Sequence, residues 1–182
     1  MIKPPVPENE QARINALHEL EILDTKEERV FDGLTSLAAY ICKTPIALIS
    51  LVDSDRQWFK SRYKFDKTET PREVSFCAHA ICEDGVLAVD DATKDERFQN
   101  NPLVTAEHGV RFYAGSPVTT PEGYKLGTVC VIDEVPRHLS DGQLAALREI
   151  SYQVASQIEL RQQIRAMAER YPGEMADYEP HY

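Results

Sequence analysis

Long apolar runs are missing from this sequence. None approaches the length of a membrane span, and the opening MIKPPVPENE lacks the apolar core of a signal peptide. Basic residues are the minority: 20 Lys and Arg against 30 Asp and Glu give a formal charge of −10. A field of that sign repels phosphate backbones and anionic lipid surfaces, so neither nucleic acid nor membrane is expected as a partner. Paired cysteines are also missing. Cys42, Cys77, Cys82 and Cys130 include no CxxC spacing, which argues against a zinc ribbon or a redox motif. Three of the four lie in apolar runs, where free cysteine acts as a small buried hydrophobe. A reduced, cytoplasmic protein is the expectation.

The 182 residues, 42% hydrophobic and 27% charged, suit one globular domain with a helical extension. The acidic excess is uneven. Nine acids stand against four bases between Asp66 and Asn100, and four against one between Glu169 and Tyr182.

Three prolines make residues 1–11 an extended lead-in. Ile14, Leu17, Leu20 and Ile22 then recur at helical spacing. Thr25 with Glu28 has the form of a capping box, and Val30, Phe31, Leu34, Leu37, Ala38 and Ile41 line one face of a second helix ending before Pro45. Ile46–Val52 is almost continuously apolar, as a strand buried on both faces should be. After the turn Asp53–Asp55, a strand from Arg56 to Arg62 completes a hairpin, with Trp58 and Phe59 on opposite faces. The spacing predicts a short helix over Ser75–Cys82, a short strand over Val86–Val89, and a hairpin of Phe112–Thr119 with Lys125–Ile132 around Pro121–Tyr124. Gly115 and Gly127, inside these strands, mark bulges or close approaches. Ser140 and Gln143 start the longest helix, reaching about Glu169 and roughly 45 Å long. Such a helix exceeds what one small domain covers, so its far end should project or meet another chain. The pattern is α+β, layered α/β/α, with a largely antiparallel sheet.

The stretches Pro45–Asp53, Asp55–Ser61, Ser75–Ile81, Arg111–Pro117 and Gly127–Asp133 closely resemble GAF domains, of the type that precedes bacterial histidine kinases and diguanylate cyclases. The resemblance covers about residues 12–163, leaving 164–182 as helix extension and acidic tail. It implies a central antiparallel sheet of five or six strands, terminal helices on one face, and a small-molecule pocket on the other under the middle segment. It also implies a homodimer through the terminal helices and a sensory rather than enzymatic role. No output domain is recognised after the helix, so a stand-alone sensor or an excised module is expected, acting on a kinase or regulator in trans.

Candidate ligand-binding residues are Trp58, Cys77, His79, Asp90, Arg111, Phe112 and Tyr113. Aromatics suit an apolar pocket, although only alternate residues of a strand can face it. Asp90 and Arg111 sit at strand ends where side chains reach a cavity mouth, or else they pair with each other or with Arg97. Cys77 and His79 could bring thiol and imidazole together for nucleophilic chemistry. The plainer alternative is a small buried residue and a hydrogen-bonded core histidine. Family members that reduce methionine sulfoxide need a cysteine shortly before the fourth strand, and bilin-binding members need a Cys-His pair in the middle region. Neither occurs between Cys82 and Cys130, so reductase activity and covalent bilin are not expected. His79 and His108 with Cys77 or Cys82 make no metal motif, and the cofactor stays unassigned. The first expectation is therefore a non-catalytic sensor of an unidentified small molecule. The alternatives are an interaction module whose pocket is filled by Phe76, Trp58 and Tyr113, and a redox enzyme using Cys77.

Overall fold

The apolar segment Ile46–Val52 becomes the inner strand β1, paired on both sides in a six-stranded antiparallel sheet seen in a computed structural model that describes residues 1–170. The strands are β1 (Ile46–Val52), β2 (Arg56–Tyr63), β3 (Glu69–Pro71), β4 (Leu87–Val89), β5 (Phe112–Thr119) and β6 (Lys125–Asp133), in the order β3-β2-β1-β6-β5-β4. Strand alternation splits the molecule into two cores. Ala47, Ile49 and Leu51 point to one face, and Leu48 and Val52 to the other.

Three helices cover the first face: α1 (Glu10–Glu19), α2 (Arg29–Cys42) and α5 (Asp141–Arg170). The expected stripe of α1 holds at Leu17 but not at Ile14, which is only half-buried, while Arg13 is fully buried. Burial of that guanidinium is tolerated because Glu10 grips it with two hydrogen bonds, 2.8 and 2.9 Å, one turn away. The capping box expected at Thr25 and Glu28 does not form. Glu28 occupies the N-cap of α2 without a side-chain cap bond, because both side chains are used by a buried lysine. Lys60 Nζ donates to Thr25 Oγ1 (2.9 Å), Lys26 O (2.7 Å) and Glu28 Oε1 (2.6 Å).

A β-bulge explains why a lysine points there. The β1–β2 register passes from Ile49–Ser61 to Ser50–Phe59, leaving Lys60 unpaired. Lys60 and Ser61 consequently both turn to the helices, where Ser61 Oγ donates to Asp32 of α2 at 2.6 Å. The capping box at α5 does form: Ser140 N donates to Gln143 Oε1 and Gln143 N to Ser140 Oγ. Leu147, Ile150, Val154 and Ile158 form its buried stripe, joined by Ser151 and Ala155. Thirty residues make α5 about 45 Å long.

The opposite face is roofed by the segment between β2 and β5. It contains β3, a 3₁₀ turn at Arg72–Val74, α3 (Phe76–Ala80), β4 and α4 (Pro102–Thr105). Of these, β3 and α4 were not legible in the sequence. Ser75 caps α3 by accepting from Ala78 N at 2.9 Å. Phe98 is fully buried and stacks on Phe76, ring centres 4.0 Å apart, which anchors the roof loop. Both strand glycines mark close approaches. A Cβ on Gly127 would lie 1.9 Å from the Ser50 carbonyl, and one on Gly115 2.1 Å from the Tyr113 hydroxyl. The acidic tail lies outside the described residues from 171 onwards.

Candidate functional site

Between roof and sheet is a half-enclosed cavity of about 480 Å³, within the range of small-molecule sites. Its floor is Ile46 and Leu48 of β1, Phe59 of β2, Tyr113 of β5 and Ile132 of β6. Phe65, Phe76, Cys77, Leu103 and Val110 close it from the roof. Polar groups are few and mostly marginal: Gln57, Thr70, Lys67, His108 and Glu134. Gln57 is fixed by a buried network, accepting from Ser75 Oγ (2.5 Å) and Ser50 Oγ (3.2 Å) and donating to Thr70 Oγ1 (2.6 Å). That network ties β1, β2, β3 and the start of α3 into one frame. His108 Nδ1 lies 3.5 Å from a Glu134 carboxylate oxygen, both exposed at the rim.

Of the seven residues expected at the site, the cavity brings together two, Cys77 and Tyr113. Trp58 and Phe112 belong to the helix-side core. Strand alternation is the reason: with Phe59 and Tyr113 facing the cavity, their immediate neighbours must face away. His79 packs edge-on against Phe98, 4.8 Å between ring centres, and does not line the cavity. Its burial is the main force holding its pKa below the ordinary histidine value, assisted by the charge of Arg97. Cys77 and His79 therefore form no nucleophile–base pair. Asp90 is exposed and meets His138 Nδ1 at 2.8 Å. Arg111 donates to the Val104 carbonyl at 2.7 Å, holding the end of α4, and Arg97 pairs with Asp95 at 2.7 Å. Asp90 and Arg111 thus stand outside the cavity lining, with partners other than those expected from the sequence. Phe59, Leu48 and Val110 were missed as lining residues. Once Tyr113 is placed, strand parity alone selects Phe59 rather than Trp58.

Cys77 is buried at the inner wall, its sulfur 3.8 Å from that of Cys130 and 3.4 Å from the Tyr113 hydroxyl, which donates to it. Among the described residues, no group of three or more His, Cys, Asp or Glu side chains is arranged to hold a metal ion. No helix among them is long and apolar enough to cross a membrane.

Comparison with known proteins agrees with this architecture. The GAF domain family profile matches residues 26–158. A cyclic di-GMP phosphodiesterase of Pseudomonas aeruginosa is 43% identical over 159 residues, which is 87% of this chain but 27% of that protein. The chain thus spans about a quarter of the length of the curated relative it matches. Among solved structures, the GAF domain of an Acinetobacter phosphoenolpyruvate-protein phosphotransferase superimposes with a TM-score of 0.61 at 16% identity, covering 85% of this chain and 98% of that one. The free methionine-R-sulfoxide reductase of Neisseria meningitidis, solved with its substrate, gives 0.61 at 14% identity, covering 90% and 98%. At such identities the likeness is one of fold.

Proposed function

The chain belongs to the GAF domain family, and on that premise we propose that it is a sensory module without catalytic activity of its own, binding a small molecule under the roof segment and relaying occupancy through α5. The observation that carries this reading is the cavity itself: about 480 Å³, apolar-walled, and bounded by a few fixed polar groups at its edge. The walls suit a largely apolar molecule with one or two polar groups that meet Gln57, Thr70 or His108. Lys67 and Glu134 carry opposite charges at the lining, so a strongly anionic ligand finds no cationic cradle there.

The relay is supported by adjacent residues of β2. Phe59 faces the cavity, and the bulge sends Lys60 to Glu28 on the helix side. Glu28 Oε1 also accepts from Arg161 of α5 at 3.2 Å, and Arg161 reaches the Leu20 and Glu21 carbonyls after α1. A ligand that shifts β2 thereby acts on the carboxylate that holds the distal half of α5. It changes the helix only to the extent that it binds two arrangements with different affinity.

The module is proposed to act as a homodimer in the cytoplasm. Leu37 and Tyr40 on α2, with Tyr152, Leu160 and Met167 on α5, expose apolar surface suited to a second copy. The receiving partner is a kinase or other regulator, in trans or in the same polypeptide. The named activity of the Pseudomonas relative supports a cyclic-dinucleotide enzyme as one such output. Mass spectrometry of small molecules released from the purified protein is the direct test. A released compound should raise Tm when added back, and Ile132→Trp, which fills the cavity, should abolish that rise. An empty protein whose Tm no metabolite changes would favour an interaction module with a vestigial pocket.

A further inference from the structure

The inner wall of the cavity holds a thiol pair. Cys77 of α3 and Cys130 of β6 are both free and buried, sulfur to sulfur 3.8 Å. A hydroxyl group meets Cys77. Tyr113 donates to it at 3.4 Å, and its ring can lie there because Gly115, opposite Cys130 in the β5–β6 register, has no side chain to displace it. Thr128, two residues before Cys130 on the same face of β6, has a buried hydroxyl with no hydrogen-bond partner among the described residues. Ser50 pairs with Thr128 across β1 and β6, its own hydroxyl donated to Gln57.

Burial by itself would raise the Cys77 thiol, but its contacts with Cys130 and the neighbouring hydroxyls, the Tyr113 donor among them, outweigh it and bring the thiol below its ordinary value. The hydrogen bond to Cys77 and burial push Cys130 the other way, well above its ordinary value. Of the two sulfurs Cys77 is thus the more acidic and Cys130 the less, the order of a nucleophile and its resolving partner. The other two cysteines differ. Burial raises Cys42 to about 11 and also raises Cys82.

We propose that Cys77 and Cys130 form a hydroperoxide-reactive dithiol site, oxidised within the cavity to a disulfide that joins the roof helix α3 to β6. The apolar walls favour an organic hydroperoxide over hydrogen peroxide. The Cys77 thiolate attacks the terminal peroxide oxygen, the O–O bond breaks, and the alkoxide leaves and takes up a proton, so that Cys77 becomes a sulfenic acid. Cys130 then loses its proton and its sulfur attacks that of Cys77. The S–S bond forms while the S–O bond breaks, and hydroxide leaves as water with the released proton. Two thiols and one hydroperoxide give one disulfide, one alcohol and one water, with two electrons passing from sulfur to the peroxide. The sulfurs close from 3.8 Å to about 2.05 Å, drawing α3 onto the sheet and narrowing the cavity. This is stoichiometric sensing, and it does not rest on the small-molecule reading above.

The full chain, reduced and then exposed to one equivalent of cumene hydroperoxide, is alkylated with N-ethylmaleimide under denaturing conditions and mapped without reduction. Free thiols should fall from four to two, with a Cys77–Cys130 cross-linked peptide present and Cys42 and Cys82 fully alkylated. In Cys130→Ser, dimedone should trap the sulfenic acid on Cys77; in Cys77→Ser, Cys130 should stay alkylated. Four retained thiols, oxidation first at Cys82, or over-oxidation of Cys77 without the cross-link in the wild type would each overturn the proposal. The wild-type map decides the matter even where a variant fails to fold. Failure of the ligand reading appears separately, in the released-molecule spectrum, and leaves this map unaltered.

Discussion

His79 shows how one residue type carries opposite meanings in sequence and in structure. Beside Cys77 in the chain it suggests a base, whereas in the fold it is a roof residue buried against Phe98. Burial and the nearby Arg97 cation lower its pKa, against the smaller opposing influence of a hydrogen bond to the Ile2 backbone and of Asp95 and Glu83. The unfolded chain therefore binds this proton more readily than the folded one. The contribution is complete above the unfolded value, about 6.5, and is lost as pH falls from there through the folded value. In His79→Gln, the fall in urea-unfolding stability below about pH 6.5 should become shallower than in the wild type. An unchanged slope would assign that part of the acid sensitivity elsewhere.

Among elements, β2 links the two cores, and its bulge is the reason. A regular strand would send Lys60 and Ser61 to opposite faces; the extra residue turns both to the helices, while Phe59 keeps its place in the cavity. The Lys60 ammonium is fully enclosed, so Glu28→Ala removes the carboxylate paired with it. Loss of one partner from a buried pair costs about 3 kcal/mol or more, whereas replacing both by apolar groups is often neutral. Denaturant titration should show that destabilisation in Glu28→Ala and much of it recovered in Glu28→Leu combined with Lys60→Met. Equal losses in both variants would mean that the pair is not the element-level tie. The Thr25–Glu28 capping signature was misread for the same physical cause: a buried cation competes for capping side chains more strongly than the helix's own N–H groups do.

For the whole molecule, the proposed dimer depends on α5 being longer than its own domain can cover. Its stripe is buried to Ile158, after which Leu160 and Met167 are exposed. Leu160→Glu with Met167→Glu should shift the protein to a monomer in sedimentation velocity while its circular dichroism stays that of the folded chain, since neither side chain belongs to a core. An undiminished dimer would place the interface elsewhere. The charge of −10 also reads differently at this scale. Much of the acidic excess between Asp66 and Asn100 lies on the roof, but its members are partly used up locally, as Asp95 is by Arg97 and Asp91 by Lys94 and Thr93.

The sequence by itself determined the α+β layering, the two hairpins, the capped start of α5 and the family, because those signals are local: strand and helix periodicity, turn residues, and short motifs in order. It also correctly separated Trp58 from Phe59 but could not say which of them faces the cavity. That choice, like the choice between Phe112 and Tyr113, depends on which sheet face the helices cover, and parity along one strand carries no sign until a partner surface fixes it. The Cys77–Cys130 contact, the burial of Lys60 and the placement of Asp90 and Arg111 outside the cavity lining were likewise decided only by the tertiary structure. Each depends on residues far apart in the chain that meet only when the roof closes over the sheet.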